Sequence, residues 1–438
     1  MWTVSREWKI GDMPEDWKVL KIQKIGDVVG GGTPKTSVAE YWDGEISWIT
    51  PKDLSGYAER YIYTGERSIT KKGLENSSAK ILPKGTVLFS SRAPIGYLAI
   101  AGKELCTNQG FKSIVCDDRK VHNVFLYYLM MIKRYELENI AGGSTFKEVS
   151  GRIVKEFKIP VPPLNEQKSI AKILSFLDEK IEVNNQLNKT LEEMAQTIFK
   201  HWFVDFEFPY EDGEPYKSSG GEMVESDLGM IPKGWEVKEL GDVVDVIDNR
   251  GKTPPLSNEK TIYPILDVKA ISGNGRIINY ENCMKFVSKE IYKSWFRSGH
   301  PVEGDILLST VGSLAEMKVF YGNIGCIAQN VIALRFEEVS NLFMYEYLKN
   351  IKGDLLSYNI GSVQPSIKVT HLIKHKVLLP DKNIENIFHD LSNNLSNQIF
   401  NNQLQNEKLT QLRDTLLPKL MSGEIRVTIE EDDIKQKI

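Results

Sequence analysis

The sequence of 438 residues is written as two similar halves, and this internal repeat restricts the fold more than any other feature. PEDWKV at 14–19 returns as PKGWEV at 232–237, and LPKGTVLFSS at 82–91 corresponds to PVEGDILLST at 301–310. Further matches in the same order are Thr33-Pro34 with Thr253-Pro254, Cys106 with Cys326, Gln109 with Gln329, Phe125 with Phe343, and Tyr127 with Tyr345. The second member of each pair follows the first by about 219 residues, which is half of the chain length. Such a collinear series indicates a duplicated unit.

Each half combines short β-like runs with one helical stretch, which predicts an α+β fold. The first half contains the β-like runs VLFSS, YLAIA and SIVC, and the second contains DILLST and VIALRF. Helical stretches follow at 124–137 and 342–356. Prolines at 160–163 and at Pro380 then end the two domains, because the residue before a proline avoids helix. We predict two pseudo-symmetric globular domains, each of about 150 residues.

A long helical pattern follows each globular domain, so the chain divides into six segments. The helical patterns open at Asn165 and Asn383, where Asn is a suitable N-cap. The stretch 206–230 is rich in Gly, Ser and acidic residues, which predicts a surface linker. The predicted segments are a first globular domain at 1–164, a helix at 165–205, the linker at 206–230, a second globular domain at 231–382, a second helix at 383–423 and a tail at 424–438.

Each long helix carries a row of apolar residues at every seventh position, interrupted once by asparagine. The rows are Ile170, Leu177, Asn184, Leu191 and Ile198 in the first helix, and Phe388, Leu395, Asn402, Leu409 and Leu416 in the second. The flanking rows, three residues further on, are more polar: Ile173, Lys180, Leu187 and Met194, then Leu391, Gln398, Gln405 and Leu412. Since so narrow a stripe cannot stabilise a lone helix in water, we predict that the two helices pair along these rows.

Asn184 and Asn402 lie at the centres of their rows, so either parallel or antiparallel pairing would bring them together. We favour antiparallel pairing, because parallel pairing would place both globular domains at one end. A buried asparagine pair costs stability but selects one register. The alternative is that both asparagines are solvated. The paired helices would form a rigid spacer of about 38 residues, roughly 57 Å long at 1.5 Å per residue.

These parts resemble the specificity subunits of type I restriction–modification systems over essentially the whole chain. The resemblance lies in the order of domain, helix, domain and helix, and in four phrases. These are GGGTPKTSVAEYWDGEISWITPKDLS at 30–55, PLNEQKSIAKILSFLDEKI at 163–181, TIFKHWFVDFEFP at 197–209 and DLGMIPKGWEV at 227–237. The second half departs from the family pattern, since DNRGKTPP replaces the Gly-rich turn and KNIENI stands where the first half has NEQK. Such divergence is expected if the two domains read different sequences.

The resemblance implies that each globular domain is a target-recognition domain for one half of a split target in double-stranded DNA. The helix pair would set the gap between the half-sites, and the chain itself would have no catalytic activity, no cofactor and no metal. Two methyltransferase subunits would bind along the helices, supply S-adenosylmethionine and methylate adenine. Restriction subunits would add translocation and cleavage that use ATP and Mg.

Catalytic motifs of the rival functions are missing from the sequence. An amino-methyltransferase needs a loop that reads Asn or Asp, Pro, Pro and an aromatic residue. The nearest strings, at 161–164 and 253–256, do not match it. The string at 250–253 has the tail of a phosphate-binding loop, but Val246 stands where its first glycine belongs. We therefore predict a non-enzymatic protein.

Composition excludes some classes of protein and leaves others open. The formal net charge of −4 does not indicate nucleic-acid binding, so any DNA contact must come from local patches. No apolar run approaches the roughly 18 residues of a membrane helix, and the first residues lack the layout of a signal peptide. Four cysteines without a C-x-x-C pair fit a reducing cytoplasm, where we expect the protein to act.

Loops that recur in both halves are the candidate DNA contacts, because phosphates need cations and base edges need amides, hydroxyls or arginine. The candidates in the first half are Thr33, Lys35, Arg92, Asn108, Gln109, Lys112, Thr145 and Lys147. Those in the second half are Lys252, Thr253, Ser309, Thr310, Gln329, Asn330, Gln364 and Lys368. For each of them an ordinary turn or a solvated surface is the alternative. The tryptophans expected in the cores are Trp17, Trp42, Trp48 and Trp235.

Two other functions remain open at this point. The chain could be a coiled-coil adaptor with two protein-binding heads. Salt-dependent DNA affinity in the presence of partner subunits would distinguish a DNA-recognition subunit from such an adaptor. It could also be a fused methyltransferase or nuclease. An assay of the lone chain for methyl transfer would test the methyltransferase possibility.

Overall fold

The structure of the protein is a computed structural model that describes residues 13–57, 59–92, 94–142, 147–210, 213–322, 324–361 and 364–427. The chain forms two compact units. Unit 1 comprises the residues up to Val183 and those from Gln405 onward, and unit 2 comprises Asn184–Leu404. Each unit therefore contains one globular domain, half of the first long helix and half of the second. This division differs from the predicted one, which treated the helices as separate segments.

Both globular domains combine runs of short strands with short helices, and a long helix follows each of them. The strands are β1 Lys18–Lys21, β2 Gly26–Gly30, β3 Trp42–Ile49, β4 Tyr61–Ile62, β5 Arg67–Ile69, β6 Val87–Phe89, β7 Leu98–Ala101, β8 Cys106–Thr107, β9 Lys112–Cys116, β10 Lys158–Val161, β11 Met223–Ser226, β12 Gly229–Pro232, β13 Glu236–Glu239, β14 Asp245–Ile247, β15 Ile306–Ser309, β16 Met317–Val319, β17 Val331–Arg335 and β18 Lys376–Leu379. The α-helices are α1 Lys71–Glu75, α2 Asn123–Asn139, α3 Gly151–Glu156, α4 Leu164–Phe203, α5 Val268–Ile271, α6 Lys289–Ser294, α7 Asn341–Asn350, α8 Lys352–Ser357, α9 Val369–Leu372 and α10 Lys382–Ser422.

The two units share the topology of their central sheets, which confirms the duplication. In unit 1 the strand order is β2-β9-β6-β7-β4, and in unit 2 it is β14-β17-β15-β16. A separate antiparallel pair joins the two ends of each globular domain, β1 with β10 in unit 1 and β13 with β18 in unit 2. The second sheet of unit 1, with the order β5-β3-β8, is reduced in unit 2 to isolated bridges, Pro264 with Phe286 and Ile265 with Cys326. The corresponding stretch of unit 2 contains the short helices α5 and α6.

One helix packs against each central sheet and closes its core. The predicted helix at 124–137 is α2, whose Phe125 and Leu129 are fully buried beside strand residues such as Ile114. The predicted helix at 342–356 is divided into α7 and α8, which meet at Ile351. Gly353 follows this break, and glycine disfavours a helix interior by about 1 kcal/mol relative to alanine.

The stretch 206–230 lies mostly at the surface, but aromatic residues anchor it to unit 2. Phe208 and Tyr216 are buried, and their rings stack at 4.5 Å between centroids. Phe208 also stacks on Trp235 at 5.1 Å, and β11 pairs with β12 at the end of the stretch. A few aromatic residues therefore anchor a mostly polar segment. The tryptophan prediction is confirmed, since Trp17, Trp42, Trp48 and Trp235 are all buried.

The long helices α4 and α10 pair in an antiparallel way within each unit. In unit 1, Ile170 near the start of α4 shares a core with Leu417 and Leu420 near the end of α10. In unit 2, Phe203 at the end of α4 lies 5.0 Å from Phe388 near the start of α10, measured between ring centroids. The beginning of one helix thus meets the end of the other in both units.

The first predicted row of each helix is buried or partly buried, whereas the flanking predicted row is exposed apart from Ile173. Ile170, Leu177, Asn184, Leu191 and Phe388 are buried, and Ile198, Leu395, Asn402, Leu409 and Leu416 are partly buried. The second row lies four residues after the first rather than three. It comprises Leu174, Ile181, Asn188, Ala195 and Trp202 in α4, and Ser392, Ile399, Asn406, Arg413 and Leu420 in α10. Heptad rows alternate steps of three and four residues, and the sequence pattern did not determine on which side of the first row the neighbour lay.

This shift also changes the predicted asparagine pair. The side-chain amide of Asn402 donates a hydrogen bond to Asn188 Oδ1 at 2.8 Å. Asn188 lies one helical turn after Asn184, so the partner of Asn402 in this bond is not the predicted one. Both members of the pair lie in unit 2. A polar contact does sit in the seam, as the heptad argument required.

We expect Asn188 and Asn402 to be energetically coupled. Replacing either by alanine removes the same hydrogen bond, so the double variant should lose about 1 kcal/mol less than the sum of the single variants. Chemical denaturation of the full chain measures this coupling. Gln186→Ala combined with Asn402→Ala is the matched control and should be additive. Additive losses for the Asn188 and Asn402 pair would contradict this assignment.

Candidate nucleic-acid interface

A threonine and a glutamine contact each other at the same place in both units. In unit 1 the Thr33 hydroxyl donates a hydrogen bond to Gln109 Oε1, and in unit 2 Gln329 Nε2 donates to the Thr253 hydroxyl. Gln109, Gln329 and Thr253 are exposed, and Thr33 is partly exposed. The structure therefore brings together four of the residues that the sequence indicated, as two equivalent pairs.

Strand pairing explains why these residues meet. β2 and β9 are antiparallel neighbours with Gly30 opposite Lys112, so the loop after β2 lies beside the loop before β9. β14 and β17 are neighbours in the same way. Gly31 allows the close approach in unit 1, because a Cβ atom there would lie 2.0 Å from the carbonyl oxygen of Asn108. Gln329 adopts a φ of 53°, a left-handed conformation that is uncommon for a residue with a side chain.

A glutamate joins the predicted cations of unit 1 into one cluster. Arg92 Nε lies 3.0 Å from Glu148 Oε2, and Lys112 Nζ lies 3.3 Å from Glu148 Oε1. Lys112 Nζ also lies 3.5 Å from the carbonyl oxygen of Gln109, which links this cluster to the Thr33 contact. Partial burial favours the neutral form of Glu148, but Arg92 and Lys112 outweigh it and hold its pKa below the ordinary value. Sequence reasoning missed Glu148, because a single acidic residue in a loop gives no pattern.

Unit 2 builds the same surface with different side chains. The Ile367 amide donates to the Thr310 carbonyl at 2.8 Å, as the Val149 amide donates to the Ser91 carbonyl at 2.9 Å in unit 1. Ser366 therefore occupies the position of Glu148. The cation here is Arg250, whose guanidinium pairs with Asp248 at 2.6 Å and lies 3.4 Å from the Thr310 hydroxyl.

Two predicted contact residues of unit 2 are structural instead. Ser309 is fully buried, donates to the Ser313 carbonyl at 2.5 Å and accepts from the Glu316 amide at 2.8 Å. Thr310 is also fully buried, and its amide donates to the Asn330 carbonyl at 2.8 Å. Ser309 ends β15 and Thr310 follows it, and the structure buries both side chains rather than presenting them on the surface as the prediction of DNA contact requires. The position of Ser309 after an apolar strand gave no sign of this burial.

The remaining candidates are divided between the surface and the turns. Asn108 accepts a hydrogen bond from the Gly110 amide at 2.9 Å and so stabilises its own turn. Asn330 is partly exposed. The exposed candidates are Lys35, Lys147, Lys252, Gln364 and Lys368. Thr145 lies outside the described residues.

Metal-binding and membrane-spanning features were searched in the described part of the chain. Within those ranges, no group of three or more His, Cys, Asp or Glu side chains is arranged to hold a metal ion. None of the helices described there is both long enough and apolar enough to cross a membrane.

Comparison with known proteins identifies the family. The model of the type I restriction modification DNA specificity domain matches residues 14–193 and 232–407, so each half of the chain matches once. The MjaIX specificity subunit of a type I restriction enzyme from Methanocaldococcus jannaschii is 38% identical over 446 residues and 97% of both chains. The HindI specificity subunit from Haemophilus influenzae is 25% identical over 81% of this chain and 89% of the relative.

A solved structure shows the same fold. The crystal structure of a type I restriction–modification S subunit from M. genitalium aligns with a TM-score of 0.57 at 18% identity. The alignment covers 94% of this chain and 98% of the other. Since the family model covers most of the chain and a relative with 38% identity spans nearly all of it, this protein belongs to the DNA specificity subunits of type I restriction–modification systems, which confer specificity and are not the catalytic subunits.

Proposed function

We propose that each globular domain binds one half of a bipartite DNA target through the loops around its threonine–glutamine contact. The observation that carries this proposal is the recurrence of that contact on exposed loops between equivalent strands, Thr33 with Gln109 and Thr253 with Gln329. Two copies of one surface in one chain can engage two stretches of DNA. Because the side chains around the two contacts differ, the two half-sites differ in sequence.

Shared and unshared residues take different roles in this proposal. The glutamines recur in both units, so they bind what every DNA site has in common, the phosphate backbone. The exposed lysines Lys35, Lys147, Lys252 and Lys368 add sequence-independent attraction. Arg92 and Arg250 occur in different settings, beside Glu148 and Asp248 respectively. Arginine is the residue that most often reads guanine, so these two residues are candidates for base reading.

The long helices set the gap and bind the partner subunits in this proposal. α4 exposes Phe176, Val183, Leu187 and Met194 in one row at heptad-like spacing, and Phe176 is 69% exposed. α10 exposes Ile387, Leu391, Leu404 and Leu412. Large apolar side chains in a row on a helix are typical of an interface that a partner covers. Two methyltransferase subunits would cover them and supply S-adenosylmethionine. Restriction subunits would join the same complex in the cytoplasm and use ATP and Mg.

Exchange of one recognition domain tests the proposal. Residues 14–162 are replaced by the corresponding domain of another specificity subunit, and the methylated sites are sequenced after production with the methyltransferase subunits. One half-site should change, while the other half-site and the gap should persist, because unit 2 and the helices are untouched. A change in both half-sites would overturn the modular reading of DNA, and adenine methylation independent of this chain would overturn the function itself.

Glu148 should restrain DNA binding by unit 1, since it neutralises Arg92 and Lys112. Glu148→Gln removes one negative charge from this surface. We expect tighter DNA binding at low salt by the complex with methyltransferase subunits, and a salt dependence of log K that is steeper by about one. The control is Glu156→Gln. It removes one negative charge from α3, at the exposed ion pair between Glu156 and Lys21. Equal effects of the two variants would show that the loop surface of unit 1 is not the DNA interface.

A further inference from the structure

Arg60 and Arg276 occupy the same position in the two units. The Arg60 carbonyl accepts the Ile100 amide of β7 at 2.8 Å, and the Arg276 carbonyl accepts the Val319 amide of β16 at 2.7 Å. The residue after each arginine pairs in parallel with that same strand. Both side chains are buried, with 3% and 0% of their surface exposed. A buried guanidinium stays charged, so each arginine needs carboxylates beside it.

The carboxylates of unit 1 come from the long helix. Arg60 Nη2 donates to Glu179 Oε1 at 2.9 Å, and its backbone amide donates to Glu182 at 3.2 Å. Arg60 Nη1 donates to the Tyr128 hydroxyl at 3.2 Å, and that hydroxyl donates to Asp178. Glu179 of α4 thus pairs directly with the guanidinium, whereas Asp178 is reached through Tyr128 and also binds Arg413 of α10 at 2.7 Å. The described part of the globular domain contributes neutral groups, the Tyr128 hydroxyl and the Tyr61 ring at 5.0 Å.

Unit 2 surrounds its arginine differently. The backbone amide, Nε and Nη2 of Arg276 donate to Glu192 of α4 at 2.6, 3.1 and 3.0 Å. Nη2 also donates to Glu346 of α7 at 2.9 Å, and Nη1 donates to the Ser396 hydroxyl of α10 at 2.6 Å. Burial opposes ionisation of Glu192, but Arg276 outweighs it and lowers its pKa.

Aligning the two halves shows that a carboxylate comes from the long helix in unit 1 and from the globular domain in unit 2 at this contact. Glu346 stands where the first half has Tyr128, and Ser396 stands where it has Asp178. In unit 1 the globular domain is neutral at this contact and the helix that follows it is acidic. In unit 2 the globular domain supplies the Glu346 carboxylate together with Lys349, which lies 3.7 Å from Glu192, and the helix that follows supplies the neutral Ser396. The hydrogen-bond donors and acceptors of the two contacts therefore differ between the units.

We propose that Arg60 and Arg276 are positioning residues that dock each recognition domain on its own stretch of the helix pair, and that the two domains are therefore not interchangeable between the two positions in the chain. The second domain in the first position would place its Glu346 carboxylate against Asp178, Glu179 and Glu182. A carboxylate cannot donate the hydrogen bond that the Tyr128 hydroxyl gives to Asp178, so two carboxylates would face each other in a contact where Arg413 already pairs with Asp178, which is unfavourable. The effect on DNA spacing rests on the proposed function, whereas the docking itself does not.

A thermodynamic cycle in unit 2 tests the docking without DNA. Ser396→Asp adds the carboxylate of unit 1 beside Arg276, and Glu346→Gln removes that of unit 2 with little change in shape. We expect Ser396→Asp to lower the thermal midpoint of the full chain, and Glu346→Gln to recover at least half of that shift. Asp305→Asn removes the carboxylate of a separate ion pair, that with Arg335, and should recover none of the shift in the thermal midpoint. If Ser396→Asp shifts the thermal midpoint equally in the wild-type and the Glu346→Gln backgrounds, the claim that the two charges are matched is overturned.

The gap between methylated half-sites tests the positioning role. Arg276→Lys keeps the charge but loses the fork that reaches Glu192, Glu346 and Ser396 together. Arg335→Lys makes the same change at Asp305, away from the helices. In complexes with methyltransferase subunits, Arg276→Lys should raise methylation at sites with the gap altered by one base pair at least ten-fold relative to the cognate gap. Arg335→Lys should leave this ratio unchanged.

Each outcome of this experiment decides one claim. An unchanged ratio in Arg276→Lys, with the protein folded, would show that the arginine only stabilises unit 2 and would overturn its positioning role. A wild-type complex that methylates no two-part site would contradict the proposed function, and the thermal cycle alone would then decide the docking claim.

Discussion

Burial of the antiparallel helix seam is the interaction on which both units depend. The core of unit 1 includes Leu417 and Leu420 from the end of α10, and the core of unit 2 includes Phe199 and Phe203 from the end of α4. Each such side chain contributes roughly 2 kcal/mol when it leaves water. Each globular domain therefore completes its core with a helix end that lies outside it: the end of α10, distant in the sequence, in unit 1, and the end of α4, which precedes the domain, in unit 2. Folding of the two recognition domains is thereby tied to pairing of the helices.

Polar groups in the seam determine which pairing forms. Apolar contacts tolerate a shift along the helix, whereas a hydrogen bond such as that between Asn402 and Asn188 does not. Ion pairs act in the same way: Arg413 of α10 binds Asp178 of α4 at 2.7 Å in unit 1. Arg276 binds Glu192 in unit 2 while fully buried. Removing one partner of a buried pair costs about 3–5 kcal/mol, so a wrong register or a wrong domain is strongly disfavoured.

The sequence predicted the parts whose pattern is local or repeated. The strands β6, β7 and β9 were visible as short apolar runs, and the helices as heptad rows. The residues of the threonine–glutamine contacts were indicated, because the repeat places Gln109 and Gln329 at equivalent positions, but the contacts themselves were not predicted. The missed residues have partners far away in the sequence. Arg60 and Glu179 are separated by 119 positions, and each alone has the pattern of a solvated surface residue.

Other failures have a physical cause of the same kind. Phe208 is a core residue inside a polar segment, and the average composition of the segment does not reveal a single buried residue. The second row of the seam was misplaced by one residue, because the globular domains that press on the helices decide which side is buried. Ser309 is buried in a turn that only the tertiary structure explains. The helix seam is decided by contacts between elements that the chain order does not bring together, whereas the Ser309 hydroxyl is held by its close neighbours Ser313 and Glu316.

The claim that the helix pair fixes the distance between two DNA-reading domains is tested most directly by lengthening both helices. Seven residues inserted after Val183 and after Leu404 add about 10 Å to the helix pair at 1.5 Å per residue. They nearly restore the seam, with a drift of about 20°. DNA rises about 3.4 Å per base pair and turns once in about 10.5 base pairs. Sequencing of the methylated sites should show a gap that is longer by about one to three base pairs, with weaker binding and both half-sites unchanged. An unchanged gap with full activity would contradict the claim.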